Sequence, residues 1–365
     1  MKKIAVLCSG GVDSSVALSL LKEQGHEINV FYLKIWLEDE LSYLGTCPWE
    51  EDVSYIKETC KLLNVSFEQI PLQKEYWNLV VKNSIQLIKN GFTPNPDVFC
   101  NQMIKFGSFN EQYGKEFDNI ATGHYAAKEE SNNWQYLKMV NDPVKDQTYF
   151  LAYTNYKQLE KVIFPLQTLK NKDEVRSYAI KKNLPAAMRK DSQGICFLGK
   201  LSFFDFIKYH LGEKKGLLIN YETLKIEGTH QGFWFFTIGQ RQGIGLSGGP
   251  WYVITKNYIE NIVYISKKNP KMFFKKHNVT IKINAINYLV PKNEYLKIDT
   301  VYLVKIRHGK EFNRVKIINI YNENTIVVSL EDADQGIASG QFMVFYDFFK
   351  KCIGSGIMEV DLLQN

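Results

Sequence analysis

The sequence has no uninterrupted apolar stretch of the roughly 18 residues that a transmembrane helix needs. Residues 4–8 form an apolar run close to Met1, but it is too short for the hydrophobic region of a signal peptide. We therefore expect no membrane segment, no targeting peptide and a cytoplasmic location. Apolar residues make up 45% of the 365 positions, enough to fill folded cores, which excludes a largely disordered chain.

Cysteine is sparse and unclustered. The six cysteines are spread along the chain without a CxxC pair, which argues against a dense disulfide framework and against a zinc ribbon. We therefore expect any functional cysteine to act as a thiol. The six are Cys8, Cys47, Cys60, Cys100, Cys196 and Cys352.

Arginine is also scarce, since five arginines stand among the 45 basic residues. The net charge of +6 lies entirely in residues 201–365, because residues 1–200 contain as many acidic as basic side chains. A neutral first part and a basic second part suit a catalytic half and a half that meets a polyanion. A general preference for lysine in the genome would explain the charge equally well.

Two patterns of hydrophobicity divide the chain. Up to about residue 200, short apolar runs alternate with helical repeats, which predicts βαβ units and a parallel sheet that binds ligands at the carboxyl ends of its strands. Beyond about residue 275, apolar and polar residues alternate without helices between them, which predicts five or six strands in a small β-barrel or sandwich.

Residues 9–15, Ser-Gly-Gly-Val-Asp-Ser-Ser, join the first predicted strand to the first predicted helix. The glycines let the backbone approach a ligand, and the helix start offers unpaired N–H groups to an anion. The segment has neither the GK[ST] ending of a Walker A loop nor a GxGxxG pattern. The carboxylate of Asp13 would repel phosphate unless Mg²⁺ bridged the two. A tight turn before a helix is the alternative without function.

This loop resembles the PP-loop of the N-type ATP pyrophosphatases, which bind the β- and γ-phosphates and adenylate an oxygen of their substrate. The resemblance does not choose among the family's synthetases and tRNA-modifying enzymes. Five further segments do, because they are similar to tRNA-specific 2-thiouridylases and follow in the same order. They are residues 93–101, 121–125, 145–151, 190–197 and 239–243.

The resemblance covers residues 4 to about 356 and implies an α/β fold. It implies a PP-loop Rossmann-like catalytic domain (1–200), a central adaptor domain (201–275) and a C-terminal β-barrel that binds tRNA (276–365). Cys8 departs from the family, which more often has another apolar residue there, and we expect it to pack as a small hydrophobic side chain. Whether its thiol takes part in the chemistry stays open.

The resemblance also implies the reaction. ATP, with Mg²⁺, would adenylate the C2 oxygen of uridine-34, the wobble base of tRNA. A persulfide sulfur would then replace that oxygen, releasing AMP after pyrophosphate. The implied partners are tRNAs of the Lys, Glu and Gln type and a sulfur-donor protein, either a cysteine desulfurase or a persulfide relay protein.

Two cysteines carry the sulfur chemistry that the resemblance implies. Cys196 would hold the persulfide, and Cys100 would free its sulfur through a transient disulfide between the two. Both lie in turn-rich segments, so we expect accessible side chains. Asp97 would act as an acid or base. Without the resemblance, each cysteine could equally be a buried structural residue, and Asp97 could belong to an Asx turn.

The implied binding residues fall into an ATP set and a tRNA set. His124 could instead be a core histidine, and the tRNA residues could be ordinary surface residues. Another PP-loop tRNA ligase, or a non-catalytic RNA-binding module, remains the alternative function. The ATP set is Leu7, Cys8, Ser9, Gly10, Gly11, Val12, Asp13, Ser14, Leu33 and Gly123, with Asp13 also as the Mg²⁺ ligand. The tRNA set is Asn95, Pro96, Asp97, His124, Lys145, Asp146, Gln147, Arg307, His308 and Gln341.

Overall fold

The structure is a computed structural model of the chain, and it describes residues 1–35, 49–190, 202–272, 280–331 and 336–360. Cys196 and Cys47 therefore lie outside the described residues.

Strands and helices alternate in the N-terminal part, as predicted. The strands are β1 (Lys3–Leu7), β2 (Glu27–Lys34), β3 (Ser66–Pro71), β4 (Asn119–Thr122), β5 (Ala127–Ser131), β6 (Trp134–Lys138) and β7 (Val162–Ile163). Five of them pair in parallel in the order β3-β2-β1-β4-β7, and β5 and β6 form a separate hairpin.

The helices of the same part cover the parallel sheet. They are α1 (Val12–Glu23), α2 (Trp49–Leu63), α3 (Gln73–Tyr76), α4 (Lys82–Lys89), α5 (Pro96–Phe99), α6 (Phe109–Gln112), α7 (Thr148–Leu151), α8 (Tyr156–Glu160) and α9 (Lys172–Lys181). Two π-helical segments, Trp77–Val81 and Cys100–Ser108, connect α3 to α4 and α5 to α6. Within the described ranges, no helix has the length and apolar character to cross a membrane.

The position of β1 decides where a ligand can bind. Its apolar run is buried on both faces, with Ile4, Ala5 and Val6 fully enclosed, as a central parallel strand requires. The chain leaves β1 toward β2 on one side, whereas β4 pairs with β1 on the other. The strand order therefore reverses at β1 and β4, and their carboxyl ends form the crevice typical of ligand sites in such sheets.

A small sheet follows helix α10 (Phe203–Leu211). Its strands are β8 (Gly216–Asn220), β9 (Ile226–His230), β10 (Tyr252–Asn257) and β11 (Ile262–Ser266), in the order β10-β11-β8-β9. Its own apolar core includes Leu218, Val253, Val263 and Trp251. Between β9 and β10 lies the glycine-rich segment with Arg241, which borders an open pocket of about 440 Å³.

The C-terminal part is a closed barrel of six strands, in the order β12-β15-β14-β13-β16-β17. Alternate residues point inward, such as Ile281 and Ile283, which are fully buried. The predicted α/β fold with a parallel sheet and a C-terminal barrel is therefore confirmed. The strands are β12 (Thr280–Tyr288), β13 (Val301–Lys305), β14 (Asn313–Asn322), β15 (Thr325–Leu330), β16 (Phe342–Tyr346) and β17 (Cys352–Glu359).

The barrel packs directly on the N-terminal part. Phe342 of the barrel belongs to the same apolar cluster as Phe99, and the two rings meet edge to face with centroids 5.6 Å apart. The backbone N–H of Thr93 donates to the carbonyl of Ser339 at 2.8 Å. The barrel therefore supports the segment that leads to Cys100.

Candidate active site

The loop after β1 has the open helix start that the sequence predicts. Gly11 is the N-cap of α1, and among the described residues no side chain caps the helix. Gly10 has a φ of +75°, and a Cβ there would lie 2.6 Å from the carbonyl oxygen of Asp52. Only glycine fits that position, and the N–H groups of the first helical turn stay available to an anion.

Hydroxyl groups shape the inside of the loop. The Oγ atoms of Ser14 and Ser15 donate to the carbonyl of Gly11 at 3.1 and 3.0 Å. The N–H of Ser9 donates to Ser14 Oγ at 3.3 Å. Ser9 itself is exposed, so its hydroxyl can meet a ligand. These bonds fold the loop around the helix start.

Gly123 lies at the carboxyl end of β4 and closes the crevice on the other side. A Cβ at Gly123 would lie 2.7 Å from the backbone nitrogen of Ser14, so the two segments touch through their backbones. Leu33, at the end of β2, is half-buried against the core. Leu7, Cys8 and Val12 are buried, so they can offer only backbone groups to a nucleotide.

Asp13 is held by two partners that sequence reasoning missed. The Lys172 ammonium, at the first position of α9, donates to both carboxylate oxygens at 2.7 and 2.8 Å. The Tyr125 hydroxyl donates to Oδ1 at 2.6 Å. The side chain of Lys172 is 13% exposed and that of Asp13 is 31% exposed. A cation that is almost enclosed therefore sits beside the phosphate loop.

Arg189 supports the loop from behind. Its Nη1 donates to the carbonyl of Gly10 at 3.0 Å, and its Nη2 pairs with Asp52 at 2.6 Å. The guanidinium also stacks on Tyr55, 4.7 Å from the ring centre. Arg189 is one of the five arginines, and their scarcity was the one sequence signal that could have indicated it.

The loop offers Mg²⁺ one carboxylate, that of Asp13. The described residues contain no cluster of three or more histidine, cysteine, aspartate or glutamate side chains that could hold a metal. Asp13 is the carboxylate of the loop, but both of its oxygens already accept hydrogen bonds from Lys172. Mg²⁺ at ATP sites usually takes one or two carboxylates together with phosphate oxygens and water, so Asp13 would have to leave Lys172 to act as its ligand.

Segment 93–101 leads from the barrel contact to Cys100. Asn95 caps α5, its Oδ1 accepting from the N–H of Val98 at 3.4 Å, and Pro96 takes the first helical position. The capping turn therefore belongs to Asn95, while Asp97 lies half-buried in the first turn. Pro96 also lines an apolar cavity of about 110 Å³ between this segment, α10 and the central sheet.

Cys100 is buried, with 2% of its surface exposed, which corrects the expected accessibility of its side chain. Cys100 belongs to a large apolar cluster that also contains Phe99 and, from the barrel, Phe342, and no local turn signal reveals this packing. Cys8, Cys60 and Cys352 are also buried thiols, and the described residues contain no disulfide.

Burial raises the pKa of the Cys8 thiol, which keeps it protonated and inert. This fits its expected role as a small hydrophobic side chain. Cys60, its neighbour, has its pKa raised to about 11 by the same cause.

The predicted tRNA residues of the N-terminal part are mostly engaged within the protein. His124 accepts or donates a hydrogen bond with Thr122 at 2.8 Å and lies between Phe106 and Phe164. Burial, together with the charge of Lys105, lowers its pKa well below the ordinary value, so the imidazole is neutral. His124 is nevertheless only half-buried and follows Gly123 directly in the chain.

Asp146 is completely buried, and its Oδ2 pairs with the equally buried Lys305 of the barrel at 3.1 Å. Its carboxylate cannot meet an external tRNA in this structure, because it is enclosed at the barrel contact. Gln147 accepts from the N–H of Tyr125 at 2.9 Å and so supports the phosphate loop indirectly. Lys145 is half-buried at the same turn.

Three predicted tRNA residues lie on the barrel. Arg307 and His308 are exposed, and the His308 ring stacks on Phe150 with centroids 4.8 Å apart. The Gln341 Nε2 donates to the carbonyl of Thr93 at 3.0 Å, so its side chain also holds the segment before Cys100. Arg307 and His308 are therefore accessible to RNA, whereas the Gln341 side chain is already bonded to the segment before Cys100.

Three protein-family models match consecutive parts of the chain. A tRNA methyl transferase HUP domain matches residues 2–200, a tRNA methyl transferase PRC-barrel domain matches residues 204–267, and an aminomethyltransferase beta-barrel domain matches residues 278–358. Among solved structures, an NMN synthetase from Francisella tularensis aligns with 14% identity over 58% of this chain and 78% of that chain, at a TM-score of 0.34, which is too low to inform the fold.

Known proteins align over almost the full length. The tRNA-specific 2-thiouridylase MnmA of Porphyromonas gingivalis is 44% identical over 362 residues, covering 97% of this chain and 98% of that protein. MnmA 1 of Bacteroides thetaiotaomicron is 46% identical over 357 residues, covering 97% of this chain and 98% of that protein. The phosphate loop, the crevice at Gly123 and these alignments agree, and the chain belongs to the tRNA-specific 2-thiouridylase family.

Proposed function

We propose that this protein replaces the C2 oxygen of uridine-34 in tRNA with sulfur, at the expense of ATP. The observation that carries the proposal is the open helix start at Gly11, faced by the backbone of Gly123, in a chain whose relatives are named tRNA-specific 2-thiouridylases. The direct substrates would be tRNAs of the Lys, Glu and Gln type, and the reaction would take place in the cytoplasm.

Adenylation is the first step of the proposed reaction. The uridine C2 oxygen attacks the α-phosphorus of ATP, and pyrophosphate leaves with the electrons of the broken P–O bond. The N–H groups at the start of α1 and the hydroxyl of Ser9 stabilise the departing negative charge, because among the described residues no side chain caps that helix start and Ser9 is exposed. Mg²⁺ would arrive with the phosphates of ATP, since the Asp13 carboxylate of the loop is already paired with Lys172.

Sulfur transfer is the second step. A sulfur-donor protein first leaves a persulfide on Cys196. The Cys100 thiolate then attacks the Sγ of Cys196, the persulfide S–S bond breaks, and the outer sulfur departs with both electrons. That sulfur adds to C2, AMP leaves with the original oxygen, and a Cys100–Cys196 disulfide remains for a reductant to open. Asp97, three positions before Cys100, is the nearest candidate in sequence to take the thiol proton.

The burial of Cys100 gives this scheme a structural requirement. A thiol with 2% exposure must be uncovered before it can attack another sulfur, and the two Cα atoms must come within about 7 Å. We infer that tRNA docking on the barrel loosens the cover over segment 93–101. Arg307 and His308 are the exposed barrel residues that we propose for this contact.

The test is mass spectrometry of tRNA nucleosides after incubation with ATP, Mg²⁺ and a labelled persulfide donor. The wild type should form 2-thiouridine. Cys196→Ser should take no label, whereas Cys100→Ser should be labelled on Cys196 but form no 2-thiouridine. Cys352→Ser is the matched control, because its thiol is buried in the barrel and should leave the reaction unchanged. Thiolation by a protein lacking both Cys100 and Cys196 would exclude the persulfide route.

A further inference from the structure

The proposed nucleophile, Cys100, is the first residue of the π-helical segment Cys100–Ser108. Such π-helical turns are rare in proteins and occur frequently at functional sites. The next residue, Asn101, is 2% exposed, although asparagine is a polar residue found mostly at protein surfaces. A buried amide needs partners for its polar atoms, so the partners of Asn101 show what holds this turn in place.

Both ends of the Asn101 amide are engaged. Its Nδ2 donates to the carbonyl of Phe150 at 3.0 Å, and its Oδ1 accepts from the Lys105 ammonium at 2.9 Å. Because a carbonyl only accepts and an ammonium only donates, the two partners fix the orientation of the amide. The bond with Lys105, four positions further along the segment, braces the turn that begins at Cys100. The bond with Phe150 attaches the same turn to a distant part of the chain.

Phe150 is itself held at the contact between the N-terminal part and the barrel. Its ring stacks on His308 of the barrel, with centroids 4.8 Å apart. The hydroxyl of the preceding residue, Tyr149, donates to the carbonyl of Phe342 in β16 at 3.2 Å. Asn101 therefore joins the turn that carries the nucleophile to a point that the barrel supports.

We propose that Asn101 is a positioning residue for sulfur transfer, because its amide fixes the helical turn of Cys100 to Phe150. The proposal rests on the thiolation function above and adds to it a residue that acts through Cys100. A thiol displaced by about 1 Å reacts up to about a hundredfold more slowly. Adenylation takes place at the phosphate loop and does not use Cys100, so loss of the anchor should slow the second step and spare the first.

The test follows pyrophosphate release and 2-thiouridine formation in one turnover, with full-length protein in excess over tRNA, ATP and Mg²⁺ present and Cys196 loaded with persulfide. Asn101→Asp keeps the bond with Lys105 but turns a carboxylate oxygen toward the Phe150 carbonyl, so the anchor is lost. Pyrophosphate release should keep the wild-type rate, whereas 2-thiouridine should form about ten- to a hundredfold more slowly. Adenylated tRNA should accumulate and be visible by mass spectrometry.

Asn119→Asp is the matched control, because Asn119 has the same pair of partners elsewhere in the sheet. Its Nδ2 donates to the carbonyl of Lys161 at 3.1 Å, and its Oδ1 accepts from the Lys2 ammonium at 3.1 Å. Asn119 begins β4, at the end of the strand opposite the crevice. This variant should therefore keep the wild-type rates of both steps.

Wild-type rates of both steps in Asn101→Asp would overturn the proposal, and so would an equal slowing of both, which would mean a purely structural role. If Asn101→Asp does not fold, Lys105→Met tests the same amide by removing its other hydrogen bond. It should slow 2-thiouridine formation about threefold or more while pyrophosphate release is retained. An unchanged rate of thiolation in Lys105→Met would contradict the proposal. Failure of the wild type to release pyrophosphate in the presence of tRNA would instead contradict the proposed function.

Discussion

At the scale of single residues, the absence of a side chain at Gly123 allows two backbone segments to meet at the candidate ATP site. The backbone at the end of β4 passes so close to the first turn of α1 that a Cβ would lie 2.7 Å from Ser14 N and 2.9 Å from the carbonyl carbon of Asp13. Both neighbours are backbone atoms of a helix, which cannot move aside as the end of a side chain could. The contact therefore fixes the width of the crevice.

Gly123→Ala should displace the loop, lower the unfolding free energy by about 1–3 kcal/mol through overpacking and weaken ATP binding. Gly11→Ala is the matched control for stability, because the nearest atom that a Cβ at Gly11 would meet is Ser9 Oγ, at 3.6 Å. Urea unfolding and ATP titration of both variants give the answer. Equal stabilities of Gly123→Ala and the wild type would show that the backbone contact is not tight.

The role of a residue could be predicted where its neighbours in the sequence indicate it. It could not be predicted where its partner lies far away in the chain. The glycines and serines of residues 9–15 are enough to predict an anion site. Lys172 and Arg189 join that site from positions more than 150 residues away, and only folding shows which lysine or arginine does so. The burial of Cys100 is of the same kind, since its apolar cluster combines residues from the N-terminal part and the barrel.

At the scale of elements, the barrel segment before β16 acts as a brace for segment 93–101. Gly340 has a φ of +91°, and a Cβ there would lie 2.8 Å from the Cβ of Phe92. Gln341 adds two hydrogen bonds, one donated to the Thr93 carbonyl and one accepted from the Tyr149 hydroxyl at 3.3 Å. The brace sets the position of the helix that carries Cys100.

Gln341→Leu should therefore lower kcat for thiolation about tenfold or more, while the KM for tRNA changes little, because a misplaced reacting group costs rate more than binding. A direct tRNA contact predicts the reverse, a raised KM with kcat retained. Steady-state kinetics with tRNA as the varied substrate separate the two. Gln231→Ala, at an exposed glutamine of the central part, serves as the control.

The spacing of apolar residues in the sequence predicts some of these helices and strands and not others. The helices and strands of the parallel sheet follow from apolar repeats, and α1 begins at Val12, directly after the loop glycines. Strand β17, the last of the six barrel strands, is the hardest to predict, because its Gly354-Ser355-Gly356 run lacks the branched residues typical of strands. The barrel requires small residues there, since a Cβ at Gly356 would lie 2.4 Å from the Cγ2 of Ile283.

At the scale of the whole molecule, a buried ion pair joins the catalytic part to the barrel. Lys305 Nζ lies 3.1 Å from Asp146 Oδ2, and neither side chain has exposed surface. Thr148 donates to the same carboxylate at 2.7 Å and also hydrogen-bonds the Tyr346 hydroxyl at 2.9 Å. Burial raises the pKa of Asp146, while the nearby Lys305 ammonium acts in the opposite direction.

Because both charges are enclosed, breaking the pair should cost far more than breaking a pair on the surface. Lys305→Met leaves the Asp146 carboxylate buried without its cation, and it should lower the unfolding free energy by about 3–5 kcal/mol. Adding Asp146→Asn removes the stranded charge and should recover a large part of that loss. Lys316→Met breaks the exposed pair with Asp299 in the same barrel and should cost less than about 1 kcal/mol. Urea unfolding, followed by tryptophan fluorescence, gives the unfolding free energy of the wild type and of the three variants. If the barrel and the catalytic part depend on each other through this pair, Lys305→Met should unfold in two transitions. A cost for Lys305→Met as small as that for Lys316→Met would mean that the apolar contact alone holds the barrel in place.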